Sequence, residues 1–236
     1  MLQLLFKQPP GNRMKVLCLG AHCDDIEIGC GGTILRLVEE NPGIEIFWKV
    51  FSSNKVRKKE AEKSAVLFTG KKTKIKCIVG DYRDGFFPYL GYQIKEDFEA
   101  LKTQFSPDLV ITHHRDDLHQ DHRLISELTW NTFRDHLILE YEVPKYDGGL
   151  ETPNLYVPID DKVCSKKLNL ILGAFESQKQ KSWFTEDYFR SILRLRGIES
   201  NSLYAEAFYC RKFILGFPTN LHEESAVKGR RIKSRH

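Results

Sequence analysis

The stretch from Gly20 to Gly32 constrains the fold of this chain more than any other part of its sequence. Residues 15–19 before it (Lys-Val-Leu-Cys-Leu) predict a buried β-strand, and residues 33–38 after it carry apolar side chains at helical spacing. The stretch therefore predicts a strand-to-helix turn, which in an open α/β sheet lies at the carboxyl edge where ligands bind. Two adjacent carboxylates in this turn repel each other unless a proton or a cation offsets their charge, and a divalent metal ion is the simplest such cation. The polar side chains of the turn are His22, Asp24 and Asp25.

The rest of the sequence alternates predicted strands with predicted helices. Strands are predicted at 15–19, 44–51, 73–79, 108–112, 154–157 and 203–213. Helices are predicted at 33–38, 55–68, 93–105, 122–138, 162–175 and 186–196. Such alternation predicts an α/β fold with a mainly parallel, doubly wound sheet and helices on both faces.

The length and composition fit one globular domain. The 236 residues are 41% hydrophobic and 29% charged, and we expect a single domain at 14–217, an N-terminal arm at 1–13 and a basic, disordered tail at 218–236. Five basic residues in the last nine positions account for the net charge of +4, so the domain itself is near neutral. We expect no nucleic-acid partner, although the tail could attract an anionic one. We expect no membrane span either, since no apolar run reaches about 18 residues.

The six cysteines include no C-x-x-C pair, and several lie in apolar runs. This pattern is typical of core thiols in a reducing compartment and predicts a cytoplasmic protein. The composition leaves the oligomeric state open, including a homo-oligomer.

A second polar cluster follows the predicted strand at 108–112 directly. The segment from His113 to His122 holds four of the eight histidines of the chain together with three aspartates. If strands 15–19 and 108–112 are neighbours, the two polar loops face each other across the switch-point crevice of the sheet.

The two clusters together suit a catalytic zinc site, which takes three protein ligands and keeps one position for water. We expect His22, Asp25 and His122 to bind the ion. Asp24 would then act as general base. A protonated His119 would stabilise the developing oxyanion, with Asp121 holding its other ring nitrogen.

The two motifs resemble those of the PIG-L/LmbE-like family of zinc-dependent N-deacetylases. The family's A-H-P-D-D motif, followed by an acidic residue and G-C-G-G, corresponds to residues 21–32, and its H-x-D-H motif corresponds to residues 119–122. Weaker similarity lies at 57–60, 84–85, 177–178 and 204–208.

The resemblance implies a Rossmann-like fold and hydrolysis of an N-acetyl group on a small-molecule substrate that contains N-acetylglucosamine (GlcNAc). By motif position it implies the same metal ligands, base and stabilising pair, and it adds Arg57 and Asp84 as substrate-binding residues. It implies Zn²⁺ as cofactor, although Fe²⁺ suits the same ligands. The family's proline is replaced by Cys23, which we interpret as a neutral bystander rather than a fourth ligand.

Two alternatives remain open from the residues alone. A two-metal phosphoesterase also uses Asp- and His-rich turns on an α/β sheet, with ions about 3.5–4 Å apart. A non-catalytic sugar- or nucleotide-binding module would need no general base, so Asp24 argues against it.

Overall fold

The computed structural model describes residues 3, 5, 13–71 and 73–216. The expected tail at 218–236 and most of the expected arm at 1–13 lie outside this part of the chain. The strands in the described part are β1 (Lys15–Gly20), β2 (Glu45–Ser52), β3 (Lys74–Tyr82), β4 (Leu109–His113), β5 (Leu137–Tyr141), β6 (Leu155–Ile159) and β7 (Tyr204–Tyr209). The α-helices are α1 (Asp25–Glu40), α2 (Lys55–Thr69), α3 (Gly91–Gln104), α4 (Gln120–Thr132), α5 (Asp161–Ala174) and α6 (Glu186–Glu199).

The strands form one seven-stranded sheet in the order β3-β2-β1-β4-β5-β7-β6. The pairs from β3 to β5 are parallel, whereas β7 runs antiparallel to both β5 and β6. This arrangement confirms the predicted α/β fold with a mainly parallel, doubly wound sheet. Since β1 and β4 are neighbours, the switch point lies between them, and both polar loops open at that crevice.

Two hydrophobic cores cover the two faces of the sheet. The first contains side chains from α1, α2, α5 and α6, among them Ile34, Phe68 and Leu168. The second contains side chains from α3 and α4, including Phe98 and Ile125. Helices on both faces leave only the sheet edges and strand ends for ligands, as expected for a doubly wound fold.

Two expectations about local structure were wrong. The predicted helix at 122–138 ends at Thr132, and residues 137–141 form β5, because they pair with β4 along their whole length. The turn after β1 is short, and α1 begins at Asp25 rather than near Thr33. The glycine-rich run therefore lies inside a helix, and it makes close packing contacts: a Cβ on Gly29 would lie 2.1 Å from the ring of Tyr141.

Helix α1 contains a break at Cys30, whose backbone is non-helical (φ −141°, ψ 18°). The backbone amides of Gly32 and Thr33 each donate to the Glu206 carboxylate of β7, at 2.6 Å. Lys167 of α5 donates to the Ile28 carbonyl at 2.6 Å and to Glu206 Oε1 at 2.7 Å. This buried ion pair thus supplies hydrogen-bond partners to the backbone on both sides of the break.

None of the helices in the described ranges combines the length and the apolar character that crossing a bilayer requires.

Candidate active site

Three predicted ligand atoms converge at the carboxyl ends of β1 and β4. His22 Nδ1 lies 3.1 Å from His122 Nε2 and 3.3 Å from Asp25 Oδ2, and the last two atoms are 3.5 Å apart. Zinc–ligand bonds of about 2.0–2.2 Å in a tetrahedron place ligand atoms about 3.3–3.6 Å apart. Two of the three separations lie in this range and the third, 3.1 Å, lies just below it, so the atoms could surround one tetrahedral ion with a fourth position free.

Carboxylates hold the outward-facing nitrogen of each histidine in this triad. His22 Nε2 lies 3.0 Å from Asp84 Oδ1 and 3.4 Å from Asp121 Oδ2. His122 Nδ1 lies 3.0 Å from Asp117 Oδ2. Metal-ligating histidines in proteins almost always have such a partner, which fixes the ring and its tautomer. The carboxylates around the triad are therefore placed as they are around metal-ligating histidines.

The charge states of the triad follow from its surroundings. Burial, together with His113, lowers the pKa of His122 to about 3, so this ring is neutral and keeps a lone pair. Burial opposes protonation of His22 as well, but Asp25, Asp121 and Asp84 raise its pKa well above the usual value. A metal ion would therefore displace a proton from His22 on binding.

His113 contacts the triad without being available as a ligand. Its Nε2 lies 3.2 Å from Asp25 Oδ2, but the same nitrogen accepts a hydrogen bond from the Ala21 amide at 2.9 Å. Because the lone pair of that nitrogen is occupied, the ring positions the turn after β1 rather than an ion. It also stacks on His122, with ring centroids 3.9 Å apart.

Asp24 is 6% exposed and forms an ion pair with Arg57, whose Nη2 lies 2.7 Å from its Oδ1. Burial raises the pKa of Asp24, and Arg57 opposes that rise. Arg57 in turn lies near Glu60 and Ser177, and Glu60 accepts hydrogen bonds from both the amide and the hydroxyl of Ser177. Arg57 is therefore at the site, where it contacts the expected base.

The expected pairing of Asp121 with the ring of His119 is not formed. The Asp121 carboxylate instead accepts from the amides of Gly85 and Phe87, at 2.7 and 3.1 Å. It is the backbone amide of Asp121 that donates to His119 Nδ1, at 3.2 Å, because His119 caps the first turn of α4. Asp121 thus anchors the loop after β3, and Asp84 reaches His22 from that loop.

His119 lies beside the triad without a carboxylate on its ring. One of its ring nitrogens lies within 4.8 Å of ligand atoms of His22 and His122. Burial, followed by the charge on His22, lowers the pKa of His119. The ring is therefore neutral, with Nδ1 as acceptor and the proton on Nε2. This differs from the protonated ring that we expected.

Cys23 lies apart from the ligand triad. Its thiol donates to the Ser52 carbonyl, with Sγ and O 3.3 Å apart, and burial raises its pKa to about 12. A neutral thiol that is turned toward β2 is a poor metal ligand, because zinc binds the thiolate.

Sequence reasoning missed Asp117 as a site residue. It is 6% exposed, and it bonds both His122 and Lys145, whose Nζ lies 2.8 Å from Asp117 Oδ1. The sequence feature that could have indicated Asp117 is its position between a buried strand and the H-x-D-H motif, but Asp116 lies between them as well. Only the turn that follows β4 distinguishes the two aspartates.

The strand order and the switch-point cluster define an α/β protein whose polar site can hold a divalent ion. A model of the PIG-L family, described as GlcNAc-PI de-N-acetylase, matches residues 17–133. The deacetylase YaiS of Escherichia coli K12, described as uncharacterised, is 30% identical over 143 residues, which cover 56% of this chain and 75% of that protein. The chain belongs to the PIG-L/LmbE-like family of deacetylases, which confirms the resemblance of its motifs.

Solved structures share the fold. The conserved protein TT1542 from Thermus thermophilus is 20% identical, with a TM-score of 0.69 over 88% of this chain and 99% of that one. The N,N'-diacetylchitobiose deacetylase from Pyrococcus horikoshii is 23% identical, with a TM-score of 0.60 over 83% of each chain.

Proposed function

We propose that this protein is a metal-dependent hydrolase that removes the N-acetyl group from a GlcNAc-type sugar conjugate. The observation that carries the proposal is the convergence of His22 Nδ1, Asp25 Oδ2 and His122 Nε2, with 3.1–3.5 Å between them. Membership in a deacetylase family supports the reaction type. Two neutral or deprotonatable nitrogens and one carboxylate form a donor set that suits Zn²⁺, and Fe²⁺ suits it too.

When bound, a divalent ion would supply a Lewis acid that activates water and polarises the acetyl carbonyl. Asp24 is the proposed general base. Arg57 occupies only its Oδ1, which leaves Oδ2 to take the proton of the attacking water and return it to the leaving amine. Between these two proton transfers Asp24 is protonated. Burial stabilises this protonated carboxyl, because it raises the pKa of Asp24.

His119 is the proposed stabiliser of the oxyanion. With Nδ1 occupied by the Asp121 amide, a neutral ring presents its Nε2–H as a donor. A neutral imidazole can stabilise developing negative charge when it is held in place beforehand. Asp121 would act indirectly, because it holds the loop of Gly85 and Phe87 against α4.

The proposed substrate is a small GlcNAc-containing molecule that enters between the loops after β1, β3 and β4. Asp84 has a side chain 75% exposed and lies at the rim, 3.0 Å from His22 Nε2, where it could also bind a sugar hydroxyl. Arg57 is the less accessible of the two proposed substrate-binding residues, with 13% of its side chain exposed. The neighbour from Pyrococcus horikoshii acts on N,N'-diacetylchitobiose, and a related sugar is a reasonable substrate for this chain.

We also retain the domain bounds 14–217 and the cytoplasmic location as proposals. All six cysteines are free thiols, which supports a reducing compartment.

The deciding experiment measures acetate released by the purified protein from a panel of GlcNAc conjugates that includes N,N'-diacetylchitobiose. We expect a chelator to abolish the activity and Zn²⁺ or Fe²⁺ to restore it. Asp24→Asn should reduce the activity without loss of the bound ion. A preparation that binds no metal and is indifferent to chelation would contradict the proposal. Hydrolysis of phosphate esters without acetate release would favour the phosphoesterase alternative.

A further inference from the structure

His114, the residue after β4, is a buried imidazole that the proposed reaction does not use. Only 6% of it is exposed. Its ring stacks on Tyr209, with centroids 3.6 Å apart and planes 15° apart. Its Nδ1 lies 3.0 Å from Glu140 Oε2, and its backbone amide donates to the Tyr141 carbonyl at 3.0 Å. The ring is thus fixed in orientation, with only Nε2 left for another partner.

The partner of Nδ1 is itself held firmly. Glu140 is fully buried, and its carboxylate accepts from the Arg115 amide at 3.1 Å, from the Trp130 indole and from the Arg211 guanidinium. A buried carboxylate that is bonded to one ring nitrogen is the usual support of a metal-ligating histidine. The same support occurs at His122 through Asp117.

Two accessible carboxylates face His114 Nε2, and the nearer one, that of Glu151, is hydrogen-bonded to it. His114 Nε2 lies 3.3 Å from Glu151 Oε2 and 3.9 Å from Asp116 Oδ2, and the three atoms all lie within 4.8 Å of one another. A turn closed by the Asp117 amide on the His114 carbonyl, at 3.3 Å, brings Asp116 back toward the ring. The backbone of Glu151 is fixed because its carbonyl accepts from Arg196 at 3.1 Å.

We propose that His114 Nε2, Asp116 Oδ2 and Glu151 Oε2 form a second divalent-cation site, separate from the triad at the switch point. One imidazole and two carboxylates suit Zn²⁺ or another first-row transition ion, with water completing the coordination. The distance from Nε2 to Glu151 Oε2, 3.3 Å, already matches the roughly 3.3–3.6 Å between ligands of a tetrahedral ion, and Asp116 Oδ2 would have to move closer to the other two atoms. The exposed side chains of Asp116 and Glu151, at 61% and 49%, have the freedom to do so.

The second site would join two segments beside the active site. Asp116 belongs to the loop that also carries Asp117, the partner of His122, and Glu151 follows the segment of Lys145 and Gly149. Together with His114, residues of both segments line one recess. An ion at the second site would therefore fix one wall of this recess.

The test is a metal titration of the tag-free full chain after chelator treatment, with Zn²⁺ as the probe and calorimetry plus elemental analysis as the readout. We expect two ions per chain for the parent and one for the double variant Asp116→Asn/Glu151→Gln. Both changes are nearly isosteric and lie at exposed positions, so folding is preserved. The double variant Glu39→Gln/Glu62→Gln removes the same charge from exposed positions on α1 and α2, and it should keep two ions.

Each result separates this site from the triad. If Asp25→Asn binds one ion and adding Asp116→Asn/Glu151→Gln removes it, the second site is established. If the parent binds a single ion that Asp25→Asn abolishes, the second site does not exist. A second ion that persists in Asp116→Asn/Glu151→Gln overturns this ligand assignment. A single ion lost only in that double variant would support the second site and contradict the proposed function.

Discussion

Replacing Lys167 by Met should destabilise the protein strongly. The Lys167 and Glu206 side chains are 3% and 1% exposed, with Nζ and Oε1 2.7 Å apart. Methionine keeps the approximate length and the apolar contacts, but it leaves the Glu206 carboxylate buried without its cation and the Ile28 carbonyl without its donor. Removing one partner of a buried pair costs about 3–5 kcal/mol. For a chain of this size, a change of 1 kcal/mol shifts Tm by about 2–4 °C, so we expect a drop of roughly 6–20 °C.

The assay is urea unfolding followed by tryptophan fluorescence, with thermal unfolding by circular dichroism as a second probe. Lys166→Met is the matched control, because Lys166 is the exposed neighbour on the same helix, and it should change stability by no more than about 0.5 kcal/mol. The double variant Lys167→Met/Glu206→Gln removes both charges and should be less destabilised than the sum of the single changes. A cost below about 1 kcal/mol for Lys167→Met, or strict additivity in the double variant, would refute the reasoning.

Three further predictions concern the triad and its surroundings. Asp24→Asn should keep the metal and lower kcat by about 10²–10⁴-fold through loss of the base, whereas Asp25→Asn should lose the metal. Assays of acetate release and of bound metal would distinguish the two variants. The opposite pattern would mean that Asp24 is the ligand and Asp25 the base. Asp117→Asn should weaken metal binding by about 10–100-fold in a chelator competition, because it removes the negative charge that supports the ring of His122. Unchanged affinity would show that this charge does not contribute to metal binding. Cys23→Ser should retain the metal and most of the activity, and metal loss on this change would identify Cys23 as a ligand.

The strands β1 to β4 followed from the sequence, because each is a short, largely apolar run separated from the next by a helical pattern. Their order in the sheet came from the structure. β5 did not follow from the sequence. Residues 137–141 (Leu-Ile-Leu-Glu-Tyr) are a mainly apolar run after α4 with no Gly or Pro between them and the helix, and periodicity cannot distinguish such a run from more helix. Only its pairing with β4 makes it a strand.

The sequence also failed to predict where α1 starts, because Gly29, Gly31 and Gly32 have a low intrinsic helix propensity. Tertiary contacts override that preference: Tyr141 and Phe68 pack where side chains of Gly29 and Gly31 would otherwise lie. These partners are more than 30 residues away in the chain, so no local pattern reveals them.

The sequence predicted which residues meet at the candidate site better than it predicted the hydrogen bonds among them. The spacing of His22, Asp25 and His122 at two loops sufficed to place them together once β1 and β4 were neighbours. The contacts of Asp121 and Asp117 depended on the loop after β3 and on the turn after β4, whose geometry the sequence does not encode in any simple pattern.

The contact between Glu206 and α1 spans 174 residues of the chain, and this has a consequence for the order of folding. The parallel part of the sheet can assemble from the first 141 residues, whereas the Gly32 and Thr33 amides find their acceptor only after β7 joins the sheet. Contacts of such large sequence separation form slowly, and synthesis delivers the N-terminal elements first. We therefore expect a late folding step in which the helix that begins with Asp25 becomes ordered, visible in pulse-labelling hydrogen exchange as delayed protection of these two amides. Early protection of both, before that of β7, would contradict this order.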